Sequence, residues 1–277
     1  MLLFVACCDF FDCGVGSSQP PYAAYMALRE RKAFVSFQKA VRNAPFNEDV
    51  LKNVTALKWA YNVALTRSVE YDGERTIAPM ADMFNHGVET EVQLSYDGNG
   101  DCYAVAQYDI PAGSPLRVSY GDPTDPTPLF ARYGFLDESS PGTFCKLMHM
   151  REEMEALGYT YANLLFYRAT GGISPEVYDV VLYYCLRKND QGLADGFYQA
   201  ASSGDDGTKA QYHEQYWQYT KEEMEKHVNN MLRDLDKWSE KANSYDVSTH
   251  PRVPLILQHN AFVKETFLNV KANLSTM

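Results

Sequence analysis

The spacing of apolar positions changes twice along this chain, and each change marks a change of element. Up to about residue 68 the spacing is helical. A Pro20-Pro21 turn leads into the mixed apolar and basic run Tyr25 to Val41, which predicts a helix. Asn47, followed by Glu48 and Asp49, is a helix start, with a capping side chain and two acids near the positive end of the dipole. Leu51, Val54, Leu57, Tyr61, Ala64 and Leu65 then recur at helical spacing, so one helix is expected from there to about Ser68. Asp72-Gly73 marks a turn after it.

Alternation takes over next. Val92, Leu94 and Tyr96 alternate with polar residues, and so does the stretch from Tyr103 to Tyr108, with Asp97-Gly98-Asn99-Gly100-Asp101 between them. That is a β-hairpin pattern. Ile110-Pro111-Ala112-Gly113 predicts another turn, and Leu116 to Tyr120 a further strand. After Cys145 the alternation stops. Ser174-Pro175-Glu176 reads as a cap with proline at the first helical position, opening a helix through Val177, Val180, Val181, Tyr184 and Cys185. A Gly and Asp linker at Ser203 to Gly207 separates it from a long amphipathic helix carrying Met224, Val228, Met231, Leu235 and Trp238. Ile256, Val263, Phe267, Val270 and Leu274 mark another. The expected fold class is therefore α+β, with small antiparallel strands over residues 1–145 followed by an all-helical domain over 146–277.

Composition narrows the function classes. With 277 residues, 45% hydrophobic and 22% charged, the chain has the make-up of a globular protein with room for two domains. Its formal charge of −11 argues against nucleic-acid binding, because no basic stripe is present to neutralise phosphates, and it suits a basic protein partner. The six cysteines, Cys7, Cys8, Cys13, Cys102, Cys145 and Cys185, show no Cys-x-x-Cys pairing, so neither a metal nor a disulfide is expected. Met1 to Phe11 is apolar but carries Asp9, lacks a basic start and is too short to span a bilayer. No membrane segment is expected.

The chemistry is carried by an ordered set of short motifs. Ala81-Asp82-Met83-Phe84-Asn85-His86 is followed by Val118-Ser119-Tyr120-Gly121 and then by Tyr133-Gly134-Phe135. Singly, each has a plainer reading: Asn-His pairs form turns and aromatics form cores. Together and in this order they resemble the C-terminal half of a SET methyltransferase domain, in the branch typified by the Rubisco large-subunit lysine methyltransferase. The resemblance covers roughly residues 50–277 and is strongest over 77–135.

That resemblance implies a partial SET domain with a helical insertion over 1–145, and a helical Rubisco-LSMT-like substrate-binding domain over 146–277. It implies S-adenosyl-L-methionine as cofactor and a protein substrate carrying a lysine acceptor. Tyr120 corresponds to the catalytic tyrosine and Tyr133 to a second tyrosine of the lysine pocket. Arg67 matches the arginine that meets the cofactor's carboxylate, Asn85 and His86 the Asn-His pair that holds the cofactor, and Phe135 the aromatic that stacks on adenine. Asp82 is expected to be structural. A lysine ammonium has no lone pair to donate until it loses its proton, at a pKa near about 10.4, so the site must favour the neutral amine by desolvation. Positioning supplies much of the rest.

The sequence departs from the family in two places. The family's Gly-x-Gly start has only Cys13-Gly14-Val15-Gly16 as a counterpart, with the wrong residues after it, so the first SET strands are expected to lie outside this sequence. Asp125 stands where the family usually has asparagine, which adds a charge expected near the pocket. Two alternatives stay open: a non-catalytic protein-binding module derived from a SET protein, and a protein-histidine methyltransferase. An intracellular setting, whether cytoplasm, nucleus or plastid, fits either.

Overall fold

In the computed structural model, which describes residues 18–122 and 124–277, the helix expected from Asn47 to Ser68 is two helices. The Met1 to Phe11 run, Cys7, Cys8, Cys13 and the glycines at 14 and 16 lie outside the described residues. Helix α1 spans Pro21–Val41, α2 Glu48–Lys52 and α3 Val54–Arg67. Asn47 accepts a hydrogen bond from the Asp49 amide and caps α2; Asn53 accepts from the Ala56 amide and caps α3. Asparagine competes with the helical ladder through such local bonds. A second cap inside an unbroken apolar pattern therefore starts a second helix.

The chain divides into two compact units: Tyr25–Pro123 with Pro128–Ser139, and Thr124–Thr127 with Ser140–Met277, to which residues 18–24 also belong. In the first unit, β1 (Val69–Tyr71) and β2 (Glu74–Thr76) pair antiparallel across Asp72-Gly73. Both turn residues have positive φ, 49° and 75°, as a tight two-residue hairpin requires. Strands β4 (Val92–Tyr96) and β5 (Cys102–Ala106) form the expected hairpin, in register from Val92↔Ala106 to Tyr96↔Cys102. The Asp97 carboxylate closes its loop by accepting from the amides of Asn99 and Asp101. Strand β3 (Asn85–His86) lies parallel to β6 (Arg117–Val118), pairing Asn85↔Arg117 and His86↔Val118. The strand expected over Leu116 to Tyr120 shrinks to two residues because its partner is no longer than that. Helix α4 (Thr127–Tyr133) ends at Gly134, whose φ of 73° and amide bond to the Phe130 carbonyl stop the helix.

The second unit is helical around a small sheet. Strand β7 (Gly142–Phe144) pairs antiparallel with β8 (Leu165–Tyr167), and helices surround them: α5 (Arg151–Ala156), α6 (Pro175–Asn189), α7 (Gln191–Ser203), α8 (Asp206–Gln215), α9 (Trp217–Asn243) and α10 (Val253–Leu274), of which α6, α9 and α10 are the expected three and α5, α7 and α8 are additional. Val180, Val181, Leu235, Ile256, Val263 and Phe267 are fully buried at its centre. Ser174 begins α6 as expected, but its hydroxyl donates to the Asn163 carbonyl and accepts from the Leu165 amide, tying β8 to the helix start in place of capping. Ser203 to Gly207 is less a linker than a joint: Gly204, at φ 73°, closes α7, and Asp205 caps α8 through the Thr208 amide.

Asp125 is also in the second unit, where its carboxylate is fully buried. Its carboxylate is 3.2 Å from the Lys146 ammonium, and neither side chain is exposed at all. It accepts from the amides of Thr127 and Phe144, both at 2.6 Å, while Lys146 also donates to Thr127 Oγ1 at 3.0 Å. The lysine lies 4.8 Å over the Tyr22 ring. Burial pushes its pKa down, and Asp125 opposes that shift. The buried carboxylate is thus matched by a buried cation.

Candidate active site

The short β3–β6 pairing sets the Phe84–His86 segment beside Ser119 and Tyr120. Gly87 makes the approach possible, since a Cβ there would lie 2.7 Å from the Glu89 carbonyl oxygen and 2.9 Å from the Arg117 side chain. On the other strand, Arg117 forks onto the buried Glu91 carboxylate, with Nε–Oε2 at 3.1 Å, and its own amide donates to the same oxygen at 2.9 Å. The Arg117 hydrogen bonds outweigh partial burial and hold the Glu91 carboxyl down at about 2. β6 is therefore anchored just before Tyr120. Gly121, by contrast, has neither positive φ nor a crowded Cβ position, so its conformational freedom is not what turns the chain here.

Tyr120 is held at both ends by the segment it faces. Its backbone amide donates to His86 Nδ1 at 3.2 Å, and its hydroxyl donates to the Phe84 carbonyl at 2.6 Å. The phenol's pKa is raised by burial first and by neighbouring Tyr133 second, with Arg67 opposing, so the hydroxyl keeps its proton at neutral pH. The ring of Tyr133, delivered by the last residue of α4, lies 4.9 Å from that of Tyr120. Phe135 completes the cluster at 5.8 Å from His86 and 6.1 Å from Tyr133.

Arg67 is the last residue of α3. Its Nη1 donates to the Asp82 carboxylate at 2.9 Å and to the Asp82 carbonyl at 3.1 Å. Asp82 sits in the 3-10 turn Ala81–Met83, entered through Met80 at φ 74°, a conformation side chains other than glycine's seldom adopt. The expectation that Asp82 is structural takes concrete form: it fixes the guanidinium. His86 is fixed as well, with Nε2 3.0 Å from Asp137 Oδ2 and both side chains nearly buried. Sequence reasoning passes over Asp137, because nothing in local spacing links it to a histidine 51 positions earlier.

All six residues singled out from the sequence meet in one place. Arg67, Asn85, His86, Tyr120, Tyr133 and Phe135 line a cleft of about 580 Å³, with Thr66, Asp82 and Met83. Asn85 and Met83 are its exposed members. A second cleft of about 670 Å³ shares Thr66, Arg67, Asp82, Tyr120 and Tyr133 and extends past Ser119 to Thr90, Gln93 and Gln107. The two tyrosines therefore border both spaces. No helix among the described residues is long and apolar enough to cross a membrane.

No family model matches the sequence, and no curated protein matches it. Solved structures do match, and they show the fold: it is that of Rubisco LSMT-type SET proteins, α+β with a helical part following, as the motifs imply. The SET domain of LSMT bound to lysine and AdoHcy superposes with a TM-score of 0.60 at 12% identity. Rubisco LSMT bound to AdoMet gives 0.59 at 13%, and Rubisco LSMT bound to sinefungin and monomethyllysine 0.59 at 12%. Each match covers 95% of this chain and 65% of the other, so this chain spans about two thirds of the length of those it resembles.

Proposed function

We propose that this protein is an S-adenosylmethionine-dependent protein N-methyltransferase acting on lysine. The observation that carries the reading is the convergence of Arg67, Asn85, His86, Tyr120, Tyr133 and Phe135, drawn from positions 67 to 135 of the sequence, on one cleft of about 580 Å³. That volume suits a cofactor of this size. The donor set fits as well: a planar guanidinium for a carboxylate, an exposed amide at Asn85, and the Phe135 ring for a flat base. Structures of the same fold bound to AdoMet, AdoHcy, lysine or monomethyllysine support the assignment.

The cofactor supplies a methyl group on a positively charged sulfur. The chain supplies orientation and solvent exclusion. Because the Tyr120 hydroxyl spends its proton on the Phe84 carbonyl, its oxygen lone pairs remain to accept polarised C–H or N–H contacts from the cleft. A retained phenol proton suits that role better than a phenolate, which a positive sulfur would trap as an ion pair. The Tyr120, Tyr133, His86 and Phe135 rings form an aromatic wall, and desolvation against it favours the neutral amine over the ammonium. Alignment then lowers the barrier through entropy already lost on binding.

The test is a calorimetric titration of the protein with S-adenosylmethionine, followed by transfer of a radiolabelled methyl group into a protein extract and hydrolysis of the labelled product. Saturable binding and labelled methyllysine are expected. No binding removes the cofactor assignment, and label found in methylhistidine alone moves the acceptor.

A further inference from the structure

His86 is matched to the cofactor by its motif, yet the structure gives its side chain other work. Both ring nitrogens are engaged within the chain, Nδ1 with the Tyr120 amide and Nε2 with Asp137. A backbone N–H can only donate, so Nδ1 has to be the unprotonated, accepting nitrogen. The ring proton therefore sits on Nε2 and is donated to Asp137 Oδ2. This tautomer is the one arrangement of a neutral imidazole that satisfies both contacts.

Asp137 is fixed in turn. Its other oxygen accepts from the Ser139 amide at 3.0 Å and from the Ser139 hydroxyl at 2.5 Å. Burial pushes its pKa up, but the Ser139 and His86 hydrogen bonds outweigh burial and bring it below the ordinary carboxylate value, so it is an anion at neutral pH. An anion beside Nε2 selects the Nε2–H tautomer over Nδ1–H, which would turn two donors toward each other at the Tyr120 amide. The chain of contacts thus runs Ser139, Asp137, His86, Tyr120, and the hydroxyl at its end is anchored one residue before Asn85, on Phe84.

We propose that Asp137 is a positioning residue for Tyr120, acting through the His86 imidazole by fixing its tautomer. The proposal rests on the reading of Tyr120 as the residue that aligns methyl group and amine. It assigns His86 a support role: its imidazole holds the tyrosine backbone, and any contact it makes with the cofactor comes from its backbone or ring face. Substituting Asp137 then affects turnover more than cofactor binding. Groups that orient a functional side chain from behind typically carry roughly tenfold to a hundredfold in activity.

The experiment combines nitrogen NMR of imidazole-labelled protein with kinetics of Asp137→Ala and Asp137→Asn. Wild type is expected to show the Nε2–H tautomer for His86 at neutral pH, and Asp137→Ala to lose that preference and shift the Tyr120 amide resonance. Turnover is expected to fall roughly tenfold to a hundredfold in Asp137→Ala with the cofactor dissociation constant within about threefold of wild type. Asp137→Asn, which keeps one accepting oxygen, should fall between. An Nδ1–H or averaging imidazole in wild type overturns the proposal without recourse to any variant, as does a wild-type kcat in Asp137→Ala. If wild type transfers no methyl group at all, the functional reading fails, and the tautomer with the Tyr120 amide shift still decides whether the relay exists.

Discussion

Each unit contains an ion pair of carboxylate and cation, and the two pairs stand in opposite surroundings. Asp125 and Lys146, in the helical unit, are wholly buried and bonded to two amides and a threonine hydroxyl. Asp82 and Arg67, in the strand-rich unit, keep 15% and 29% of their side-chain surfaces and stand in the wall of two clefts. A buried pair is costly to break because the survivor is left as an unpaired charge, whereas a partly solvated pair contributes little because water replaces the lost partner. The helical unit therefore invests its polar groups in holding itself together. The strand-rich unit leaves its own at a surface where a ligand can use them.

Acid is expected to separate the two most strongly. Burial holds His227 down to about 4, with His149 adding to the shift and the bond to the Cys145 carbonyl opposing it. Burial also holds His259 down to about 3, with Lys146 adding to the shift and Asp125 opposing it. In the unfolded chain both titrate near about 6.5. Below that pH the unfolded state binds protons that the folded state refuses, so stability falls as pH falls, by up to about 1.4 kcal/mol per pH unit for each histidine, until the folded values are reached. Scanning calorimetry between pH 7.5 and 4.5 should show a falling melting temperature, with a shallower fall in His227→Gln. A flat profile would contradict the buried neutral state of these rings.

Next in size is the buried pair itself. Asp125→Ala is expected to cost about 3–5 kcal/mol, and adding Lys146→Met should recover part of that loss by removing the stranded charge. Urea unfolding of the single and double variants measures both; equal destabilisation by the two would show that Lys146 is not the source of the cost. The smallest stability effect is expected in the other unit. Arg67→Ala should cost about 1 kcal/mol or less in the same assay while weakening S-adenosylmethionine binding by about tenfold in a titration. A loss as large as that of Asp125→Ala would erase the distinction between the units.

The legible parts of this molecule are those in which local chemistry and tertiary structure agree. The Asp97 to Asp101 loop and its flanking alternation predict the hairpin because turn and strand signals coincide. Helices α9 and α10 show their apolar stripes over many turns, which short elements cannot. Asn85, His86, Tyr120, Tyr133 and Phe135 are legible as candidates because three short motifs occur in a fixed order, whereas Arg67, outside those motifs, follows only from the resemblance they carry. What the sequence hides is long-range or balanced locally. Asn53 reads as an ordinary polar position until its side chain caps α3. β7 and β8 are three residues each and pair across more than twenty positions, too short to leave a period. The partner of the Asp125 charge is not legible because Lys146 is 21 residues away. Asp137 is invisible for the same reason.

The central claim is that Tyr120 aligns a methyl group and an acceptor amine. Tyr120→Phe removes one oxygen and one hydrogen bond to the Phe84 carbonyl while keeping the ring in contact with Tyr133 and His86. The measurement is methyl transfer by this variant and by wild type, with a parallel S-adenosylmethionine titration. The predicted result is a loss of roughly a hundredfold in rate, on the order of 3 kcal/mol of transition-state stabilisation, at nearly unchanged cofactor affinity. Transfer at the wild-type rate would make Tyr120 a packing residue and contradict the account.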